Sequence, residues 1–180
     1  GKGGRPEGVS RGKIGLQVSS FTWPGGPEAI APTLARIAQT ADQVGFDSIW
    51  VMDHFFQIRG VGPATDPMLE GWTTLGYLAG LTQRLEFVTG VIILPQRQTA
   101  LVAKQATEVD VLTGGGRFRL GVGVGWNPVE YEALGQDFHT RGKRVEEQIP
   151  LLRLLFGQEL VSFDGRWDTV TAAGLNPLPV

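Results

Sequence analysis

The sequence predicts an α/β fold with a parallel sheet, formed by four βα units and a terminal β-hairpin. Short β-branched or apolar runs alternate with longer amphipathic runs, which is typical of repeated βα units. The run Asp47–Met52 is too short for a helix and suits a strand covered on both faces. We expect one domain, residues 14–180, preceded by residues 1–13 as a disordered leader or a remnant of cloning that lacks the apolar segment of a signal peptide.

The first two units are defined by apolar spacing and by glycine and proline. Ile14–Ser20 is the first strand. Pro27 and Glu28 open a helix that Gly45 ends, and its apolar positions repeat at steps of three and four residues. After the second strand, residues 53–67 form a long Gly/Pro loop, and such loops in compact domains are more often functional than idle.

The alternation continues to the last helix and is then broken by the hairpin. The remaining elements are predicted, in chain order, as helix Met68–Thr82, strand Leu85–Ile93, helix Thr99–Leu112, strand Phe118–Val124, loop 125–140 and helix Arg141–Phe156. Leu160–Phe163 and Trp167–Thr171 flank the dipeptide Asp164-Gly165, which best fits a tight hairpin turn.

Composition excludes several classes of function. With 42% hydrophobic and 19% charged residues, the 180-residue chain belongs to the ordinary soluble globular class. A net charge of -2 leaves no basic excess for nucleic acid, and no apolar stretch approaches the roughly 18 residues of a membrane span. The absence of cysteine excludes disulfides and thiolate chemistry and is compatible with a cytoplasmic location. With only two histidines and no carboxylates at ligand spacing, we predict no metal site.

Two arrangements of the βα units are open on pattern alone. A complete (β/α)8 TIM-type barrel has eight units in about 250 residues, so this chain would be a half barrel. An open doubly wound sheet would fit the length with nothing missing. Its main support is removed by the run Gly121–Gly125, because the spacing G-x-G-x-x-G would need glycine or alanine at Trp126 or Pro128. These glycines mark either a close approach of neighbouring chain or a strand end that faces a cofactor.

Asp53 and His54 are the candidate catalytic residues. They directly follow the second strand, and barrel enzymes keep their chemistry at this C-terminal rim. The alternative is that Asp53 caps loop amides and His54 is a solvated loop residue. His139 lies in a polar stretch before a helix and is interpreted as structural or solvent-facing.

Two segments are candidates for cofactor binding. Thr89–Val91 interrupts the third strand, and glycine inside a strand usually marks a bulge or a close backbone approach. Gly125–Asn127 follows the fourth strand, where Trp126 and Asn127 offer an apolar wall and an amide to a ring system. The alternative for the second segment is a purely structural turn, since Asn-Pro commonly starts one.

Three segments carry a resemblance to a known family: Ile49–His54, Thr89–Ile92, and Leu112–Gly115 leading into Gly121–Asn127. Together they resemble the luciferase-like monooxygenases, barrel enzymes that include bacterial luciferase and the coenzyme F-420-dependent oxidoreductases. The resemblance runs from about Ile14 to the last residue, with the hairpin as the insertion that the family carries after its fourth helix. It implies an α/β fold in which this chain is the first four βα units of a TIM-type barrel plus a β-hairpin.

The family implies a flat tricyclic ring across the barrel mouth. A third-strand bulge, which in several members contains a non-proline cis peptide, backs the ring and here corresponds to Gly90-Val91. The second-strand histidine lies near the reactive ring face in deazaflavin-dependent relatives, so His54 is the candidate proton donor or acceptor beside a hydride transfer. Asp53 would orient His54 or contact the cofactor. Relatives bind the phosphate side largely through later strands, which this chain lacks.

Coenzyme F-420 is the predicted cofactor and FMN the alternative. F-420 carries hydride and needs a proton-transfer group near its ring but no oxygen pocket, which suits His54. An FMN-dependent monooxygenase would need a dry apolar cavity, for which Trp23, Phe55 and Trp126 are candidates. The predicted function is therefore F-420-dependent hydride transfer to an unknown small organic substrate. A non-catalytic or engineered half barrel is the third possibility. We expect a homo-oligomer, because four strands without closure leave two unpaired edges and an exposed apolar inner face.

Overall fold

The computed structural model describes residues 12–180, so the predicted leader lies outside the described residues except for its last two. The described part is an α/β structure. Its strands are β1 (Gly15–Val18), β2 (Ser48–Val51), β3 (Glu86–Thr89), β4 (Ile92–Ile93), β5 (Phe118–Arg119), β6 (Val122–Gly123), β7 (Val161–Asp164) and β8 (Thr169–Ala173). Its helices are α1 (Ile30–Val44), α2 (Gly71–Ala79), α3 (Thr99–Leu112), α4 (Pro128–Ala133) and α5 (Arg141–Gly157).

The main sheet has the strand order expected of half a barrel. Its four strands are parallel and follow one another in the order β1, β2, β3, β5, with Val18, Val51 and Thr89 in register. Strands β4 and β6 continue the third and fourth of these as a second parallel pair. Each crossover joins neighbouring strands, and right-handed crossovers then place the helices on one face. The reversal of strand order that defines a doubly wound sheet is absent from residues 12–180.

The two faces of the sheet differ in polarity. Alternate residues such as Val18, Ile49 and Phe87 are buried in the core together with apolar side chains of the helices. The opposite, inner face carries the buried Val88, and beside it polar and charged residues with one tryptophan line an open hollow of about 450 Å³: Lys13, Gln17, Asp47, Ser48, Trp50, Glu86 and Arg119. The expectation of an apolar inner face is therefore wrong for the part that lines this hollow. The period-two alternation of the strands places their polar residues there.

The third and fourth predicted strands are each interrupted. The Gly90-Val91 peptide bond is cis and separates β3 from β4, which confirms the predicted irregularity. Beside it, the Thr89 hydroxyl bonds both backbone groups of Gly121, at 2.8 Å each, in the gap between β5 and β6. The side chain of Thr89 thus replaces ladder hydrogen bonds at the point where both strands break.

Other boundaries differ from the sequence prediction for local reasons. Helix α2 begins at Gly71 rather than Met68, because the Glu70 side chain caps it by accepting from the N–H groups of Trp72 and Thr73. The predicted loop 125–140 contains the short helix α4. The hairpin is confirmed, but residues 165–168 connect its strands. Backbone N–H groups of this connection donate to the Glu147 carboxylate at 2.7–3.0 Å, which stabilises the longer turn.

Candidate active site

Strand β2 delivers Asp53 and His54 to the C-terminal edge of the sheet. This edge also receives the segment after β3 and the segment after β6, because the carboxyl ends of parallel strands meet on one side. The candidate site is built from these three segments. Each predicted site residue lies in one of them except Thr89, which is the last residue of β3.

The Asp53 carboxylate is buried in an ion pair with Arg97. It accepts from Arg97 Nε at 3.0 Å and from the backbone N–H of Ile93 at 2.9 Å, and only 2% of the residue is exposed. Arg97 also donates to Glu70 at 2.9 Å. Burial by itself lowers the pKa of Arg97, but Asp53 and Glu70 raise it above its ordinary value. Asp53 thus joins the end of β2 to β4 and to the segment after β4. It does not contact the His54 ring, which binds a different carboxylate.

His54 pairs with Glu130 of helix α4. Its Nδ1 lies 3.2 Å from each carboxylate oxygen of Glu130, whose residue is fully buried. The same carboxylate accepts from the backbone N–H groups of Phe55 at 2.8 Å and Phe56 at 3.4 Å. Burial raises the pKa of Glu130, but the bonds from His54, Phe55 and Phe56 outweigh it and hold that pKa below its usual value. The Glu130 carboxylate is therefore ionised at neutral pH.

Glu130 was not among the residues predicted from the sequence, although a local signal marks its helix. Asn127 is the N-cap of α4 and accepts from the N–H of Val129 at 3.2 Å, and Pro128 is the first helical residue. Asn, Pro and an acidic residue three positions after the cap form a helix start, which our interpretation of Asn-Pro as a turn missed. The position of Asn127 is thus explained by capping.

Among the other predicted cofactor-binding residues, Trp126 lies beside His54 and Val91 is exposed to solvent. The Trp126 ring lies 5.9 Å from the His54 ring and is 58% exposed, and Val91 is 41% exposed. Thr89 is buried against Gly121, so its side chain is occupied within the sheet.

Two glycines of the site are required by close neighbours. A Cβ on Gly90 would lie 2.9 Å from the Trp50 ring. Gly125 has φ +68°, and a Cβ there would lie 2.6 Å from the Ile93 side chain. The sequence left open whether these glycines allow a close approach of neighbouring chain or face a cofactor. At Gly125 the close neighbour is Ile93 of β4, so the first explanation holds there.

Some sequence candidates lie away from this site. His139 is exposed in a 3-10 turn after α4, with its ring 5.8 Å from Phe138. Within residues 12–180, no group of three or more His, Cys, Asp or Glu side chains is arranged to hold a metal ion. No helix in that range has the length and apolarity to cross a membrane.

The half barrel places a histidine, a buried carboxylate and exposed apolar side chains at its C-terminal rim, which is where barrel enzymes keep their active sites. The family model described as luciferase-like monooxygenase matches residues 14–180. The chain belongs to this family.

Individual relatives cover most of this chain with part of their own length. It is 35% identical over 145 residues to 4-hydroxyprotoasukamycin monooxygenase of Streptomyces nodosus subsp. asukaensis, covering 80% of this chain and 37% of that protein. It is 32% identical over 176 residues to F-420-dependent glucose-6-phosphate dehydrogenase of Amycolatopsis mediterranei, covering 93% and 50%. The crystal structure of monooxygenase RslO1 from Streptomyces bottropensis superposes with a TM-score of 0.80 at 22% identity, covering 93% and 50%.

These comparisons establish the family and the fold. The chain spans half or less of the length of these relatives, consistent with half a barrel. Relatives in this family are oxidoreductases and monooxygenases that use F-420 or FMN. The fold prediction and the family resemblance are both confirmed.

Proposed function

We propose that this chain carries the ring-binding half of an F-420-dependent oxidoreductase that transfers hydride between the cofactor and a small organic substrate. The observation that carries the proposal is the pairing of His54 with an ionised, buried Glu130 beside the exposed Trp126 ring. The similarity to an F-420-dependent dehydrogenase over 93% of the chain supports the choice of cofactor.

The residues present fit the ring portion of such a cofactor. Trp126 supplies exposed apolar surface beside His54, and Val91 is exposed on the segment after β3. The Trp50 ring packs against the backbone at Gly90, where a side chain would collide with it. A flat tricyclic ring needs apolar walls of this kind with few polar groups. We assign Gly90, Val91, Gly125 and Trp126 to the ring and propose that Thr89 and Asn127 position them.

The protein's own contribution is orientation and proton transfer. F-420, when bound, accepts or donates hydride at its ring. His54 would hold or accept the proton that accompanies this transfer, and its Nε2 is the nitrogen left open by the bond from Nδ1 to Glu130. Asp53 would act indirectly, because its bonds to Ile93 and Arg97 fix the strand ends beside His54.

The competing cofactor is FMN in a monooxygenase. This alternative needs a dry apolar cavity, and its three aromatic candidates have separate neighbours. Trp23 packs edge-on against Phe21, and the Phe55 ring lies 5.3 Å from the Arg97 guanidinium. Trp126 lies beside His54. This arrangement favours F-420.

Titration of the chain with F-420 and with FMN under matched conditions, followed by tryptophan fluorescence, tests the proposal. We expect saturable quenching by F-420 and a weaker response to FMN. The variant Trp126→Phe should lose most of the quenching, and Trp167→Phe, in the hairpin connection, serves as its control. Tight FMN binding without F-420 binding would transfer the proposal to the monooxygenase alternative.

A non-catalytic half barrel that self-associates is the second candidate. Strands β1 and β5 each have one paired neighbour among the described residues, so both edges offer unpaired backbone groups. Two copies of four strands would close an eight-stranded barrel. Binding of neither cofactor, together with a dimer in light scattering, would favour this candidate. A stable 19.4 kDa monomer with cooperative unfolding would contradict self-association.

A further inference from the structure

We propose that Glu130 is the positioning residue that fixes the tautomer of His54, with hydrogen on Nδ1 and the lone pair on Nε2. The inference rests on the proposed function for its catalytic consequence, but the tautomer itself is a property of the chain. It assigns a role to a buried glutamate of α4, 76 positions from His54 in sequence.

The hydrogen in the His54–Glu130 bond belongs to the histidine. Nδ1 lies 3.2 Å from Oε1 and from Oε2, and the lowered pKa of Glu130 leaves both oxygens without a proton. An ionised carboxylate can only accept. Neutral His54 must therefore donate from Nδ1, and Nε2 must be the acceptor.

Glu130 is held firmly enough to impose this geometry. Its carboxylate accepts from the N–H groups of Phe55 and Phe56, and its helix is capped by Asn127. The neighbouring Tyr131 is also fully buried, and its hydroxyl donates to the carbonyl of Val124. Glu130 thus ties α4 to the loop that carries His54, and Tyr131 ties the same helix to Val124, directly after β6.

The other nearby carboxylate does not compete for His54. Asp53 is occupied by Ile93 and Arg97. Within residues 12–180, Nε2 of His54 has no hydrogen-bond partner, whereas Nδ1 has Glu130. Asp53 binds Ile93 and Arg97, and Glu130 binds Nδ1 of His54. Nε2 is therefore the nitrogen able to exchange a proton with a ligand at the rim. A carboxylate on the far ring nitrogen also stabilises the imidazolium formed when Nε2 takes up a proton.

Long-range ¹H–¹⁵N correlation spectra of the labelled chain test this directly. The chain contains two histidines, so the variant His139→Asn assigns the signals without ambiguity. Recorded at a pH where the ring is neutral, wild-type His54 should show the Nδ1–H pattern. An Nε2–H pattern for His54 would overturn the proposal, and this result needs no change in the His54–Glu130 pair.

Glu130→Gln should reverse the tautomer. The amide oxygen is required by the Phe55 N–H, which turns the NH₂ group toward Nδ1 and forces Nδ1 to accept. Glu132→Gln, on the same helix and exposed, is the matched control and should leave the spectrum unchanged. Retention of the Nδ1–H form in a folded Glu130→Gln protein would contradict the role of Glu130.

The catalytic consequence has a separate readout. In hydride transfer with F-420, Glu130→Gln should lower kcat about 100-fold or more while changing the KM for the cofactor little, because general acid-base groups contribute on that scale. If the chain fails to bind F-420 but shows the expected tautomer, the proposed function fails and the role of Glu130 in orienting His54 stands. If the chain binds F-420 but His54 shows the Nε2–H tautomer, the role of Glu130 fails and the proposed function stands.

Discussion

The C-terminal rim and the inner face of the sheet differ in how deeply their paired charges are buried. At the rim, Asp53 is paired with Arg97 and Glu130 is paired with His54, and both carboxylates are buried. On the inner face, charged residues such as Arg119 line an open hollow. Burial of a charge is costly unless it is paired, so the rim depends on its pairs more than the open inner face does.

The largest effect on stability is expected from Asp53→Asn. Removing one partner of a buried ion pair typically costs about 3–5 kcal/mol, because the other charge is left without compensation. Arg97 would keep only the more exposed Glu70 as its carboxylate partner. Urea unfolding should show this loss. Asp164→Asn, at an exposed hairpin position, is the matched control and should stay within about 0.5 kcal/mol of the wild type. A loss below about 1 kcal/mol for Asp53→Asn would mean that the rim does not depend on this pair.

A smaller effect at the rim is expected from pH. The folded pKa of Glu130 lies below the ordinary value of 4.5, so its contribution is fully present above that value and is lost as the pH falls through the folded pKa. The free energy of unfolding of the wild type should therefore decline more steeply below pH 4.5 than that of Glu130→Gln. Equilibrium unfolding at a series of acid pH values measures both slopes. Parallel curves would show that the His54–Glu130 pair contributes nothing to stability.

The smallest effect is expected on the inner face. Arg119 and Glu86 form an ion pair at 2.7 Å, but the Arg119 side chain is 58% exposed. Exposed pairs contribute about 0–1 kcal/mol, so Arg119→Ala should change the free energy of unfolding by less than about 1 kcal/mol. A double-mutant cycle with Glu86→Ala isolates the pair. A coupling as large as that of the rim would remove the contrast between the two regions.

The sequence predicted the elements well and the long-range pairs poorly. The four βα units follow from apolar spacing, which is a local property, and helix α3 was placed at its observed bounds, Thr99–Leu112. The site depends on contacts between distant residues. Asp53 and Arg97 are 44 positions apart, and no local pattern links them. The split of the third strand was expected from the family resemblance, whereas the Thr89–Gly121 bonds beside it appear only in the fold.

The polarity of the inner face was predicted wrongly for a different reason. Gln17, Ser48 and Glu86 were visible as polar residues within or at the start of predicted strands, yet we expected an apolar face. The error came from treating the face as the core of a barrel. The apolar alternates of these strands pack against the helices instead.

We proposed that His54 exchanges a proton beside an F-420 ring at the rim. The most direct measurement is the rate of F-420 reduction across a panel of small organic hydride donors, alongside the cofactor Kd from fluorescence. We expect His54→Ala to reduce the rate by about 100- to 10,000-fold while the Kd changes little. His139→Ala, which removes the exposed histidine near Phe138, should leave both unchanged. Equal rates for the wild type and His54→Ala would contradict this role of His54.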